Sequence, residues 1–157
     1  EITDLELDGY QLSRLLREHY GIQVELAGEN HVLTMFSPFN HPEDWDKLAA
    51  ALKDISQRYH RRSRDRNPFP GFPPIPPLAL TPRESFLSVR KTVKIKESKG
   101  MISGEMAAPY PPGIPCVVPG EIITAEVVEY LIYLKQRDIP VHGLRDRSLQ
   151  YIQVVDV

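Results

Sequence analysis

One carboxylate in this chain stands just ahead of an unusual loop. Glu105 precedes a stretch from Ala107 to Glu121 that holds Pro109, Pro111, Pro112, Pro115 and Pro119, together with Gly113 and Gly120. Each proline fixes φ, removes a backbone donor and restricts the residue before it, so no helix crosses this stretch. Proline-rich spacers are ordinarily polar, whereas Ile114, Cys116, Val117 and Val118 make this one apolar. The pattern predicts a rigid, ordered loop. A carboxylate at the root of such a loop could present a fixed negative charge to a cavity. Its alternative is a surface or salt-bridged glutamate, and on residue types alone that alternative is preferred. Tyr110 is expected to pack within the loop with its hydroxyl satisfied at an interface. Glu121 is expected to serve the N-terminal end of the following helix through the dipole.

The other chemistry-bearing residues point away from common site types. His19, His31, His41, His60 and His142 show no zinc-ligand spacing, and Cys116 is the only cysteine, so no metal site is expected. Cys116 lies between Pro115 and Val117 without a neighbouring base and reads as a small buried hydrophobe rather than a nucleophile. Neither Gly-rich phosphate-loop pattern occurs. Arg58, Arg61, Arg62, Arg64 and Arg66 form a basic run that could bind RNA or phosphate, but only Tyr59 could stack beside it; a solvated helix end is the preferred reading. Pro70, Pro73 and Pro76 satisfy Pro-x-x-Pro spacing, more often a spacer than a ligand.

These residues are positioned by two patterned segments. In the first, Asp8 caps a helix to about Tyr20, with Leu12, Leu15, Leu16 and His19 on one face and Gly21 as the stop. Ile22, Val24 and Leu26 alternate as a strand, residues 27–30 turn, and residues 32–36 form a second strand. Pro42, with Glu43 and Asp44, opens a helix whose predicted buried face is Trp45, Leu48, Ala49, Leu52 and Ile55. Residues 61–80 read as a semi-extended Arg/Pro-rich linker held to a surface through Phe69, Phe72 and Ile75. In the second segment, Thr81-Pro82-Arg83-Glu84 is a capping box. A strand over residues 89–96 precedes the proline loop. Thr124 caps a helix that buries Val127, Val128, Leu131, Ile132 and Leu134, residues 139–143 turn into a short strand, and residues 151–157 close the fold as a strand.

Bulk properties exclude several classes. The net charge of −2 gives no global attraction to nucleic acid or acidic membranes, and no nucleic-acid or membrane partner is expected. No apolar run approaches the ~20 residues of a membrane span. A single cysteine excludes an internal disulfide and fits a reducing, cytoplasmic compartment. The chain begins at Glu1 and enters a patterned helix almost at once, which suggests a fragment.

Several motifs carry a resemblance. Gly104-Glu105, Pro109-Tyr110-Pro111-Pro112-Gly113-Ile114-Pro115, Val118-Pro119-Gly120-Glu121 and Ile123-Thr124 look like the signature of the bacterial ornithine/lysine/arginine decarboxylases, pyridoxal-phosphate enzymes, in their biosynthetic branch. Arg83-Glu84-Ser85-Phe86 and Gly100-Met101-Ile102-Ser103 extend the match. Leu15 through Leu26 resembles the end of the aminotransferase-like (fold type I) part of these enzymes. The resemblance implies an α+β chain. Residues 1–60 would be a helix-strand-strand-helix small subdomain, 61–80 the linker, and 81–157 the decarboxylase C-terminal domain. It further implies a homodimer or higher homo-oligomer acting on a basic amino acid in polyamine synthesis, arginine favoured over lysine or ornithine. The family carries its cofactor lysine in a Ser-x-His-Lys context. Lys47, Lys53, Lys91, Lys94, Lys96, Lys99 and Lys135 all lack it, so no catalytic residue is expected in this chain and pyridoxal phosphate would be held mainly by a missing N-terminal part.

Within that resemblance Glu105 is the candidate partner for the cationic end of the substrate. Related aminotransferases hold the α-carboxylate with an arginine near the place that Asn30 or His31 takes here, which makes His31 a substrate-binding candidate. Tyr110, Pro111, Pro112 and Gly113 would shape the site near a subunit interface. Two other classes stay open: a non-catalytic regulatory or interaction module using the arginine run and proline linker, and another fold type I enzyme such as an aminotransferase.

Overall fold

The structure, a computed structural model, describes residues 1–60 and 70–157. The chain divides into two compact units, Glu1–Pro68 and Phe69–Val157. The expected strip of Arg61, Arg62, Arg64, Arg66 and Phe69 lies outside the described residues.

In the first unit, helix α1 (Gly9–Tyr20) starts at Asp8. The Asp8 carboxylate accepts from the Gln11 N–H at 2.7 Å, and the Gln11 side chain accepts from the Asp8 N–H at 2.9 Å. This reciprocal box satisfies two orphan donors. Gly21 ends the helix in the left-handed conformation, φ 60°. Strands β1 (Leu26–Gly28) and β2 (His31–Leu33) pair antiparallel, and helix α2 (Pro42–Arg58) follows. Ile2, Leu12, Leu16, Val24, Ala51 and Ile55 form the core.

Three expectations shift here, the first being the second strand, which ends at Leu33 rather than at residue 36. Ile22 does not enter a strand, because its N–H is taken by the Leu16 carbonyl at 3.0 Å to close α1; the ladder begins four residues later, at Leu26. The buried seam of α2 is Ala51 and Ile55 with half-buried Leu48, whereas Trp45 is 54% exposed and Ala49 and Leu52 face outward. The apolar arc of α2 is wider than the face its unit covers. The uncovered part carries Trp45, whose ring is tilted against that of Phe36 at 4.9 Å; Met35 and Phe39 are exposed as well.

In the second unit, helix α3 (Pro82–Leu87) is capped as its sequence predicts: the Thr81 N–H donates to the Glu84 carboxylate at 2.7 Å. Strand β3 (Arg90–Lys94) pairs antiparallel with β6 (Tyr151–Val155), and a 3-10 turn (Ile95–Glu97) follows β3. The two-residue strands β4 (Ala108–Pro109) and β5 (Val141–His142) pair on either side of helix α4 (Ala125–Gln136). Ile123, Val127, Leu131, Leu134, Ile152 and Val154 fill the core. Ile132 is only half-buried.

Residues 70–80 belong to this unit. The Ala79 and Leu80 N–H groups donate to the Gly120 carbonyl at 2.9 and 3.0 Å, and the Ile122 N–H donates to the Pro77 carbonyl at 2.9 Å. Pro73 and Pro76 are the buried residues of the segment. Phe72 meets the Tyr130 ring edge-on at 5.5 Å, and Ile75, expected as an anchor, is 90% exposed. Among the described residues no helix is long and apolar enough to cross a membrane.

Candidate functional site

The proline loop is fixed at its roots by hydrogen bonds that prolines leave available. The Ala107 N–H donates to the Val117 carbonyl at 3.0 Å, and the Cys116 N–H donates back to Ala107 at 2.8 Å. The Ser103 and Gly120 backbones bond at 2.8 Å, as do Ser103 N–H and the Glu121 carbonyl. Gly120, at φ 95°, lies where a Cβ would fall 2.1 Å from the Leu80 carbonyl oxygen, so only glycine fits. Tyr110-Pro111 and Pro111-Pro112 are both cis. Gly113 turns the tip at φ 88°, its N–H donating to the Pro109 carbonyl at 2.8 Å.

The tip presents Tyr110, Pro112, Gly113 and Ile114 outward, with Pro111 half-buried. Tyr110 is 55% exposed rather than packed inside the loop; its ring meets His142 edge-on at 5.3 Å. Glu121 does not serve α4. It is buried and accepts from the Val118 N–H at 2.8 Å, closing the loop, while Thr124 caps α4 by accepting from the Val127 N–H at 3.3 Å. Cys116 is buried with its thiol donating to the Ala107 carbonyl at 3.3 Å, and burial pushes its pKa up to about 12. At that value the thiolate, the reactive form, is scarce at neutral pH.

Glu105 is buried, and each carboxylate oxygen has a backbone partner. Oε1 accepts from the Arg145 N–H and Oε2 from the Gln153 N–H, both at 2.8 Å. The carboxylate thus ties the loop after β5 to strand β6. Buried Ser103 holds Glu105 from behind: its hydroxyl donates to the Glu105 carbonyl at 2.7 Å. Buried Ser85 donates to the Ser103 carbonyl at 2.9 Å, carrying the chain of bonds into α3. Glu105 also lines a cleft of about 230 Å³ with Thr92, Arg145, Asp146 and Gln153.

Asp146 is the site residue that sequence reasoning missed. One of its oxygens accepts from the Ser148 N–H and hydroxyl, at 2.9 and 2.7 Å, and the other accepts from the Gln150 and Tyr151 N–H groups, both at 2.9 Å. The Ser148 side-chain bond, then the backbone bonds, hold its pKa down to about 2. Asp146-Arg147-Ser148 is a local turn pattern, and that spacing was the available signal.

His31 belongs to the first unit. It opens β2 opposite Gly28, is exposed, and its imidazole lies where a Cβ on Gly28 would fall, 2.6 Å away. Among the described residues no three His, Cys, Asp or Glu side chains gather as a metal-ligand set.

The chain is similar to known proteins along most of its length. The model of the Orn/Lys/Arg decarboxylase C-terminal domain matches residues 70–146. The chain is 36% identical over 155 residues to the arginine decarboxylase of Bacillus subtilis (strain 168), covering 98% of this chain and 32% of that protein. It is 34% identical over 155 residues to the arginine decarboxylase of Bacillus anthracis, covering 98% of this chain and 31% of that one. The structure of the E. coli constitutive lysine decarboxylase superposes with a TM-score of 0.73 at 19% identity, over 95% of this chain and 28% of that one, and shares the α+β fold. The chain therefore spans about a third of the length of the curated relatives it matches.

Proposed function

The chain belongs to the ornithine/lysine/arginine decarboxylase family, and from that premise we propose that the protein carrying it removes the α-carboxylate of a basic amino acid as CO2. The observation that carries this reading is the 36% identity along 98% of the chain to an arginine decarboxylase. The same relative favours arginine as substrate, with lysine and ornithine as the related choices.

Pyridoxal phosphate, when bound, supplies the electron sink that such a decarboxylation needs. The residues present do not fit it as a complete site. All seven lysines are exposed, and none stands in the Ser-x-His-Lys context. No step is therefore assigned to a lysine of this chain. The proposal places the lysine and the phosphate site in another part of the polypeptide.

In this reading the chain contributes shape and charge. A carboxylate has about four lone-pair positions, and two of those on Glu105 are taken by amides. Its charge lines the cleft beside Arg145 and Thr92, where a guanidinium or ammonium end would gain a charge-assisted bond. His31, in the first unit, is proposed separately, as a substrate-binding residue for an α-carboxylate. An imidazole has at most two N–H donors against the five of a guanidinium, so it holds that group less firmly than an arginine and suits a reaction in which it leaves. The outward residues Tyr110, Pro112, Gly113 and Ile114 would border the site close to a second subunit. Homo-oligomeric, cytoplasmic action in polyamine synthesis completes the proposal.

The test compares the 157-residue chain with the protein of the whole reading frame, each mixed with pyridoxal phosphate and arginine. The proposal expects CO2 and the decarboxylated amine from the whole protein and neither from the chain. CO2 released by the chain alone would overturn the placing of the lysine, and no amine from the whole protein would overturn the activity.

A further inference from the structure

The second unit holds two adjoining clefts that Glu105 does not line. The first, about 530 Å³, is lined by Lys94, Lys96 and Lys135 over an apolar floor of Ile95, Ile132 and Leu149. The second, about 520 Å³, shares Lys135 and Leu149 and adds Arg147. No carboxylate lines the first cleft, and Asp138 is the only one lining the second. Lys94 pairs with exposed Glu97 at 3.4 Å, whereas Lys96, Lys135 and Arg147 have no ion-pair partner among the described residues.

The wall between the clefts is built under strain. Leu149 is buried at φ 52°, a left-handed conformation that a leucine rarely adopts. Asp146 enforces it by accepting from Ser148 on one side of Leu149 and from Gln150 and Tyr151 on the other. Strain of this kind persists where surrounding bonds over-determine it, and it concentrates at ligand sites. The carbonyl end of α4 lies here as well, but its negative pole is blunted. The Arg137, Asp138 and Ile139 N–H groups donate to the carbonyls of Tyr133, Lys135 and Leu134. Apart from Asp138, the charged groups facing the clefts are cations, set over an apolar floor. Cavities of this size suit small organic molecules, and lysine ammoniums are point charges that suit phosphate oxygens.

We propose that the Lys96/Lys135/Arg147 double cleft binds a small organic phosphate, its phosphoryl group on the ammoniums and its apolar body on Ile95, Ile132 and Leu149. This site is independent of the decarboxylase reading. Phenyl phosphate is the probe, with inorganic phosphate and phenol as its two halves, followed by amide shifts in NMR spectra of the protein at low salt. Saturable shifts at Lys96, Leu149 and Tyr151 are expected with phenyl phosphate. Inorganic phosphate should bind about tenfold more weakly, because a buried ring is lost. Lys135→Gln should weaken phenyl phosphate by about fivefold to tenfold, through the loss of a charge-assisted bond. Lys91→Gln, whose lysine pairs with Asp156 at 2.7 Å outside both clefts, should leave binding unchanged. Shifts absent from these residues would overturn the site. Phenol binding as well as phenyl phosphate, or equal binding by inorganic phosphate, would overturn the ligand class. Binding that Lys135→Gln leaves intact would overturn the role of the shared lysine.

Discussion

Replacing Glu105 by glutamine keeps the side chain's size and removes its charge. In the native arrangement both oxygens accept backbone N–H groups at 2.8 Å, from Arg145 and from Gln153. A glutamine oxygen can still accept from one of them, but its NH2 then opposes the other donor. One charge-assisted bond becomes neutral, and one N–H in a buried setting loses its acceptor. Hydrogen bonds to charged groups contribute roughly 1.5–3 kcal/mol each, and an unsatisfied buried group costs about 1–3 kcal/mol. Glu105→Gln should therefore destabilise the second unit by about 2–4 kcal/mol. At this unit size that lowers Tm by roughly 10–20 °C. Glu105→Ala should cost at least as much, because both donors lose their partner. The assay is urea unfolding of the chain followed by far-UV circular dichroism and by Tyr fluorescence. Glu97→Gln is the control, since Glu97 is exposed in a surface pair with Lys94 and should change little. A Glu105→Gln stability within about 0.5 kcal/mol of the parent, the range of ordinary surface changes, would refute the claim that this carboxylate ties the loop to β6.

Cys116 should resist thiol reagents at pH 8 in the folded chain and react fully in denaturant, because burial pushes its pKa up to about 12; native labelling within minutes would contradict its buried placement. Asp146 has a folded pKa near 2 against an ordinary value of 3.8, so its stabilising contribution is present above about pH 4 and is lost as the pH falls toward 2. Asp146→Asn should flatten the acid limb of the unfolding profile in that window, and an unchanged limb would show that the turn gains nothing from the charge. Gly120→Ala should destabilise the second unit by more than about 2 kcal/mol in thermal melts, since its Cβ meets the Leu80 carbonyl and its φ is positive; a melt within a degree of the parent would refute the close approach.

The helix starts were legible because caps are local chemistry. Asp8, Thr81 and Thr124 each accept the N–H their sequence assigns them. The closing strand β6 and the rigid proline loop were legible for a similar reason, one through alternation and the other through fixed φ. The seam of α2 was legible in part: Ile55 is buried and Leu48 half-buried as the spacing predicts, but an apolar arc wider than one partner's face also admits Trp45, Ala49 and Leu52, which are exposed, in place of buried Ala51. The strand after α1 began later than alternation suggests, because Ile22 was claimed by the helix stop. Glu105 was legible as a carboxylate beside a rigid loop, but its partners are the backbones of residues 40 and 48 positions away, and such long-range pairing leaves no local pattern. Glu121 illustrates the same limit at short range: the loop amide of Val118 competes for it with the helix dipole and wins by a direct bond of 2.8 Å.

The measurement closest to the central claim is release of labelled CO2 from the carboxyl carbon of arginine, lysine and ornithine by the whole protein with pyridoxal phosphate. Release from a basic amino acid is expected, fastest from arginine, with one amine formed for each CO2. Release from none of the three, by a protein that is folded and supplied with the cofactor, would contradict it.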